Sequence, residues 1–402
     1  MILGKMNITS LGNKIKNEDI SFLNRDVAEK VKGFHSSFPQ YSQTPLVELK
    51  NLSEHLGINN MFIKDESYRF DLNAFKVLGA SFAVGNFIAN KLDIDIAKLP
   101  YSVMTSDEVK AKLGDLTFVT ATDGNHGRGL AWTANQLGQK SKVFMPKGTA
   151  IERVENIRKE NSDVDVYDAN YDECVRMAND YANTHGGIMV QDTSWDGYED
   201  IPRWIMQGYM TMANEAYEQL NSSGQRPTHI FLQAGVGSLA SAVTGFFANV
   251  YSDNIPTIVI VEPEKANCLY QTAKADDGKI HNVDGDLDTI MAGLACGEPV
   301  TIGWPILNSY ASYFLSVDEI YASHGMRLLG NPKKDDKRVI SGESGAVTSG
   351  VVSKLMTDSE LADIKNEIGL DENSVVLVFS TEGDTDKKMY RDIVWDGRYP
   401  SY

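Results

Sequence analysis

LTFVTATDGNHGRGLAWTANQLG, residues 116–138, reads as a buried strand (Leu116 to Thr120), a glycine-bearing turn and a helix that stops at Gly138. This stretch decides the fold class, because strand, tight loop and helix in that order form the unit from which parallel sheets are built. Downstream the rhythm repeats: KVFMP as strand, AIERVENIRKEN as helix, VDVYDA as strand, YDECVRMANDYANTHG as helix and IMVQD as strand. Upstream, PLVELKNLSEHLG followed by NMFIKDES predicts a short strand, a helix and another strand, while Asp93 to Glu108 predicts a loop or an excursion. A long helix from Arg203 to Leu220 leads into HIFLQAGVGSLASAVTGFFA, again strand, glycine loop and helix, then the strand TIVIVEPE. A helix after Gly342 and the apolar strand SVVLVFS close the pattern. The fold class predicted is α/β, with open, mostly parallel sheets and helices on both faces.

The totals suit a globular enzyme. At 402 residues the chain is long enough for two domains, and 42% hydrophobic with 23% charged residues is ordinary composition. A formal charge of −17 argues against nucleic acid or an anionic membrane as the main partner. No signal-peptide pattern and no run of about 18 apolar residues is visible, so a cytoplasmic protein is expected. Cys174, Cys268 and Cys296 are too few and too widely spaced for a disulfide scaffold or a zinc site, and no two histidines stand at i, i+4; no metal is expected.

Three stretches carry chemistry. In AGVGSLA, Gly235 and Gly237 let the backbone approach a bound group at the start of a helix, where free N–H donors and the positive dipole end would hold a phosphate. The same letters fit the G-x-G-x-x-A dinucleotide fingerprint, with Glu262 and Glu264 near the place of a ribose-binding acid, which taken alone favours a nicotinamide oxidoreductase. The second stretch, DLNAFKVLGA (Asp71 to Ala80), places a single lysine among apolar residues. Its plain reading is Asn73 as N-cap, a helix from Ala74, and Lys76 on the wet face. Its functional reading is a lysine whose pKa is lowered by Phe75, Val77 and Leu78, leaving a nucleophilic amine for a carbonyl cofactor. The third, TDGNHGRG, tips the balance: Asn125 can hydrogen-bond a phenolic oxygen and Gly124 and Gly127 free backbone amides to grip a carboxylate, neither of which a nicotinamide enzyme needs. His126 is taken as structural.

Together these motifs resemble the fold type II pyridoxal-phosphate enzymes, the tryptophan synthase β- and threonine dehydratase-like family, over nearly the whole chain. The resemblance implies pyridoxal 5'-phosphate carried by Lys76, its ring hydroxyl met by Asn125, and its phosphate held by Gly235, Val236, Gly237, Ser238 and Leu239. It places Ser380, with Thr381 as second choice, at the pyridine nitrogen, and adds Glu343 of SGESGAV to the cofactor-binding set. It implies a small domain, residues 80–190, inserted in a large one formed by 1–79 and 191–402, with the cofactor in the cleft between, and a homodimer acting on a small amino acid.

One departure narrows the reading. Where the dehydratases carry Ser before G-N-H-G, this chain has Asp123, a carboxylate that repels a substrate carboxylate unless it serves a cation or moves a proton. With LNAFKVLGAS, QDTSWDGYEDIPRWIMQGY, TIMAGLACGEP and SGESGAV, this resembles the diaminopropionate ammonia-lyase subgroup, which implies α,β-elimination of 2,3-diaminopropionate, D and L, to pyruvate and ammonia. Asp123 and Asp192 are then the candidates to hold the β-ammonium, Asp123 also being a base for the D isomer; for Asp192 an N-cap or turn role stands equally. Cys268 and Cys296, in segments of the same resemblance, are a candidate pair, two buried free thiols being the alternative. Threonine or serine dehydratase and threonine synthase are the competing enzymes, with Asp123 the discriminating feature; a catalytically silent amino-acid-binding protein is countered by the intact Lys76, Asn125 and phosphate loop.

Overall fold

The computed structural model describes residues 4–11 and 17–400. Its apolar runs pair into two sheets. The strands are β1 (Met6–Thr9), β2 (Leu46–Glu48), β3 (Asn60–Asp65), β4 (Thr117–Ala121), β5 (Lys140–Pro146), β6 (Asp163–Tyr167), β7 (Ile188–Met189), β8 (His229–Gln233), β9 (Thr257–Pro263), β10 (Tyr313–Val317) and β11 (Val375–Ser380). Seven form a sheet in the order β1-β10-β9-β8-β11-β3-β2, parallel except for the two edge strands; four form a second, wholly parallel sheet in the order β6-β5-β4-β7.

Both faces of the large sheet are buried, and the side-chain alternation shows it. Ile230 and Leu232 of β8, Ile258 and Ile260 of β9, and Leu377 and Phe379 of β11 join one core, with helices Arg25–Ser36, Val77–Leu92, Asp200–Ser222 and Ser238–Val250. Their neighbours Phe231, Val259, Val261, Val376 and Val378 join another, with Glu319–Gly330 and Glu343–Thr357. Period-two alternation sends successive residues to opposite faces, so continuous apolar strands mean a sheet covered on both sides. The small sheet repeats this: Val119 and Phe144 pack under helix Tyr171–His185, Val143 and Met145 under Asn125–Gln136 and Ile151–Arg158. The α/β class read from sequence therefore holds. Among the described residues no helix is long and apolar enough to cross a membrane.

Several local expectations are corrected. The helix after DLNAF starts at Val77, not Ala74, and Asn73 does not cap it: its φ is +60°, its carbonyl accepts from Gly383 N–H at 3.0 Å and its amide donates to Asp384 at 3.1 Å. Phe75 N–H also donates to the Thr381 carbonyl at 3.1 Å, so tertiary bonds to the turn after β11 shape this segment instead of helix propensity. The interval Asp93 to Glu108 holds the short helix Tyr101–Met104 and the start of Asp107–Leu113. β7 ends at Met189, leaving Val190 to Asp192 beyond the ladder.

Candidate active site

Five strand ends converge on one pocket, as expected in open α/β sheets, where ligands bind beyond the carboxyl ends of the strands. From the large sheet come Lys76, past the end of β3, the loop Ala234–Leu239 after β8, and Thr381 and Glu382 after β11; from the small sheet come Asp123 and Asn125 after β4 and Asp192 after β7. Two glycines allow this approach. A Cβ on Gly129 would stand 2.8 Å from the Val77 backbone, and one on Gly383 would overlap the Asn73 side chain at 2.0 Å.

Lys76 is largely buried, and its amine hydrogen-bonds Asp192 Oδ2. The other oxygen, Oδ1, accepts from Tyr171 Oη–H and from Gln191 Nε2, both at 3.1 Å. Tyr171 Oη accepts in turn from Gln191 at 2.8 Å, and Gln191 Oε1 is held by Thr120 and by Ala121 N–H. Burial disfavours the charge on Lys76, but the attraction of Asp192 outweighs it and holds the ammonium above the ordinary lysine value. This reverses the lowered pKa expected from the apolar neighbours alone. Burial likewise works against the charge on Asp192, and Lys76 overcomes it, holding the carboxyl well below the usual range. Asp192 caps no helix; it sits in the bend after β7, and its side chain is the counter-ion of Lys76.

Asp123 points an oxygen at Arg153 Nη1, 3.3 Å away. Burial pushes its pKa up, against the pull of Lys76 and Arg153. Asn125, the first residue of its helix, donates to Glu382 Oε2 at 2.6 Å. His126 is buried, its Nε2 at 2.8 Å from the Val190 carbonyl and its Nδ1 without a hydrogen bond, 4.0 Å from Asp192; burial lowers its pKa.

The loop Gly235–Leu239 closes on the helix Ser238–Val250, whose first N–H groups have no partner within the helix. Gly237 has φ +103°, a conformation that favours glycine. Thr381 lines the pocket and its hydroxyl accepts from Gln233 at 2.8 Å, whereas Ser380, the residue favoured from sequence, is engaged by Ser341 at 2.8 Å and Thr381 is the one exposed to the pocket. Glu343 is buried at the head of its helix, outside the pocket lining; Ser344 lines it instead. Burial and the nearby Glu382 push Glu343 up to about 8. Glu262 accepts from Leu269 and Tyr270 N–H at 2.9 and 2.6 Å, occupying the acid that a dinucleotide site needs for ribose. Cys268 and Cys296 are free thiols that both lie close to Gly235, not a bonded pair.

These residues fit a pyridoxal phosphate. An amine, an amide and a glycine loop at a helix N-terminus share one pocket, and three of its lining residues, Tyr209, Gln233 and Glu382, each keep a buried polar atom without a partner. Sequence reading missed Arg153, Tyr171, Tyr209, Gln233 and Glu382; Tyr209, at the end of QDTSWDGYEDIPRWIMQGY, and Gln233, just before the glycine loop, lay within stretches already singled out.

The chain belongs to the pyridoxal-phosphate dependent enzyme family, whose model matches residues 38–380. Within it, this chain is 52% identical over 381 residues to the diaminopropionate ammonia-lyase of Salmonella typhimurium, covering 94% of each chain. The holo structure of diaminopropionate ammonia lyase from Escherichia coli superposes with a TM-score of 0.94 at 43% identity, covering 100% of this chain and 99% of that one. The Escherichia coli enzyme in complex with D-serine gives 0.93 at 42% identity, with the same coverage.

Proposed function

We propose that this chain is a pyridoxal-phosphate-dependent diaminopropionate ammonia-lyase: 2,3-diaminopropionate and water become pyruvate and two ammonia. The observation that carries it is Asp123, a half-buried carboxylate in the same pocket as Lys76, where a dehydratase carries a hydroxyl. A pocket with carboxylates at 123, 192 and 382 against cations at 76 and 153 suits a substrate bringing an extra positive charge. The full-length similarity to lyases of that name supports the same assignment.

The cofactor, when bound, supplies the electron sink that acidifies the Cα–H bond of an amino acid. Lys76 is its attachment point and the base that takes the α-proton of the L isomer. Asp192, fixed by Tyr171 and Gln191, orients Lys76 and balances its charge. Asn125 would meet the ring hydroxyl and Gly235 to Leu239 would hold the phosphate; Thr381, with Ser380 behind it, would partner the ring nitrogen, and Glu343 would support that wall from outside the pocket lining. Asp123 stands across from Lys76 and takes the α-proton of the D isomer. Burial raises its pKa toward working pH, which suits a general base, while Lys76 and Arg153 pull the other way. The leaving β-amine departs protonated. The reading carries with it an inserted small domain at 80–190, a homodimer and a cytoplasmic setting.

Steady-state pyruvate formation from the two isomers tests the roles. Asp123→Asn lowers D activity far more than L activity, since an amide cannot accept that proton. Equal losses with both isomers remove the second base.

A further inference from the structure

The carboxylates of the pocket differ in how fully they are engaged. Asp192 has both oxygens satisfied, by Lys76 on one side and by Tyr171 and Gln191 on the other. Asp123 gives Oδ2 to Arg153. Glu382 is anchored through one oxygen: Oε2 accepts from Asn125 at 2.6 Å and Thr385 at 3.0 Å, with Arg153 Nη2 at 4.0 Å. Its backbone is tied to Ala74 by a bridge and its carbonyl accepts from Gly342 N–H at 3.0 Å. Gly342 packs against the side-chain stem so closely that a Cβ there would lie 3.1 Å from Glu382 Cγ. Yet Oε1 has no partner, although the residue is only 1% exposed and lines the pocket. A buried, unpaired carboxylate oxygen is costly, and a framework that fixes it in place is retained for a ligand that pairs with it.

We infer that Glu382 is the receptor for the side-chain ammonium of the substrate, and so the residue that selects a diamino acid over a hydroxy amino acid. The inference rests on the proposed function. Once the α-amine is committed to the cofactor, the remaining cation of 2,3-diaminopropionate is the β-ammonium, and Glu382 Oε1 is a fixed acceptor within the lining with nothing else to bind. Asp192 is spent on Lys76, and Asp123 is shared with Arg153 and has a proton to move. Asn125 couples the two tasks, since the amide assigned to the cofactor ring also grips Glu382.

Serine is the natural control, being of the same length with a neutral hydroxyl in place of the ammonium. The experiment titrates the holoenzyme, wild type and Glu382→Gln, with D-2,3-diaminopropionate and with D-serine, following the cofactor absorbance, and records the spectrum without amino acid. A site built to pair a polar group discriminates strongly against its absence, so the wild-type preference for the diamino acid falls by about tenfold or more in Glu382→Gln, with the amino-acid-free spectrum unaltered. Thr385→Val, which keeps the charge and removes one anchor, gives a smaller loss of the same preference. Equal weakening of both amino acids overturns the inference, as does a changed amino-acid-free spectrum in Glu382→Gln, which assigns Oε1 to the ring. A wild-type protein with no preference for the diamino acid overturns the functional reading and this inference with it; a preference retained in Glu382→Gln overturns this inference alone.

Discussion

Gly129→Ala sets two effects of opposite sign against each other. Gly129 lies in the middle of the helix Asn125–Gln136, where Ala is favoured over Gly by about 1 kcal/mol, so propensity alone makes the variant more stable. The added Cβ, however, would sit 2.8 Å from both Cα and N of Val77 and 3.2 Å from the carbonyl carbon of Lys76. Ordinary contact begins near 3.4 Å, so the Asn125 helix and the Lys76 segment must part by several tenths of an ångström, and backbone cannot rotate away as a side chain can. Overpacking of this kind costs about 1–3 kcal/mol, which exceeds the propensity gain. The larger effect is on chemistry: it moves Lys76 relative to Asn125 and Asp123, and a misplacement approaching 1 Å costs about a hundredfold in rate. Urea denaturation and steady-state pyruvate formation on the same preparation read both quantities, and the variant is predicted to lose about 1 kcal/mol and ten- to a hundredfold in kcat. A variant more stable than wild type with undiminished turnover refutes the claim that Gly129 sets the distance between the two sheets' contributions.

Lys76→Ala keeps the phosphate loop and so still binds the cofactor, seen as retained absorbance after gel filtration, while turnover falls by several orders of magnitude; near-normal ammonia release would end the assignment of Lys76. Glu343 gives a pH dependence. Its folded pKa of about 8 lies above the ordinary 4.5, so below pH 4.5 both states are protonated and nothing is lost; between the two values the unfolded chain is ionised and the folded one is not, and stability declines as pH rises. Glu343→Gln therefore flattens the decline in melting temperature between pH 5 and pH 8 compared with wild type, and parallel curves would show that Glu343 ionises freely in the fold.

What the sequence made legible was local. Strand, glycine loop and helix at 229–248 and at 116–138 are contiguous signals, and both appear where expected, because propensity and burial agree there. β10 escaped notice since YFLSV is short and follows no glycine loop, and β1 since it pairs only with β10, at a sheet edge. The Asn73 error has the same origin in reverse: Asn before an apolar run is a sound helix-start signal, but Gly383 and Asp384, some 310 positions later, claim its carbonyl and amide. Lys76 and Asn125 could be named from motifs, whereas Arg153, Tyr171 and Glu382 acquire meaning only when the strand ends of both sheets meet. The direction of the Lys76 pKa followed from its sequence neighbours and was wrong, because Asp192, 116 residues away, decides it.

The central claim is tested most directly by products. Purified protein reconstituted with pyridoxal 5'-phosphate is supplied separately with D- and L-2,3-diaminopropionate, and pyruvate and ammonia are counted. The account predicts turnover of both isomers with two ammonia released for each pyruvate. Rapid deamination of threonine or serine with no turnover of either diaminopropionate isomer would contradict it.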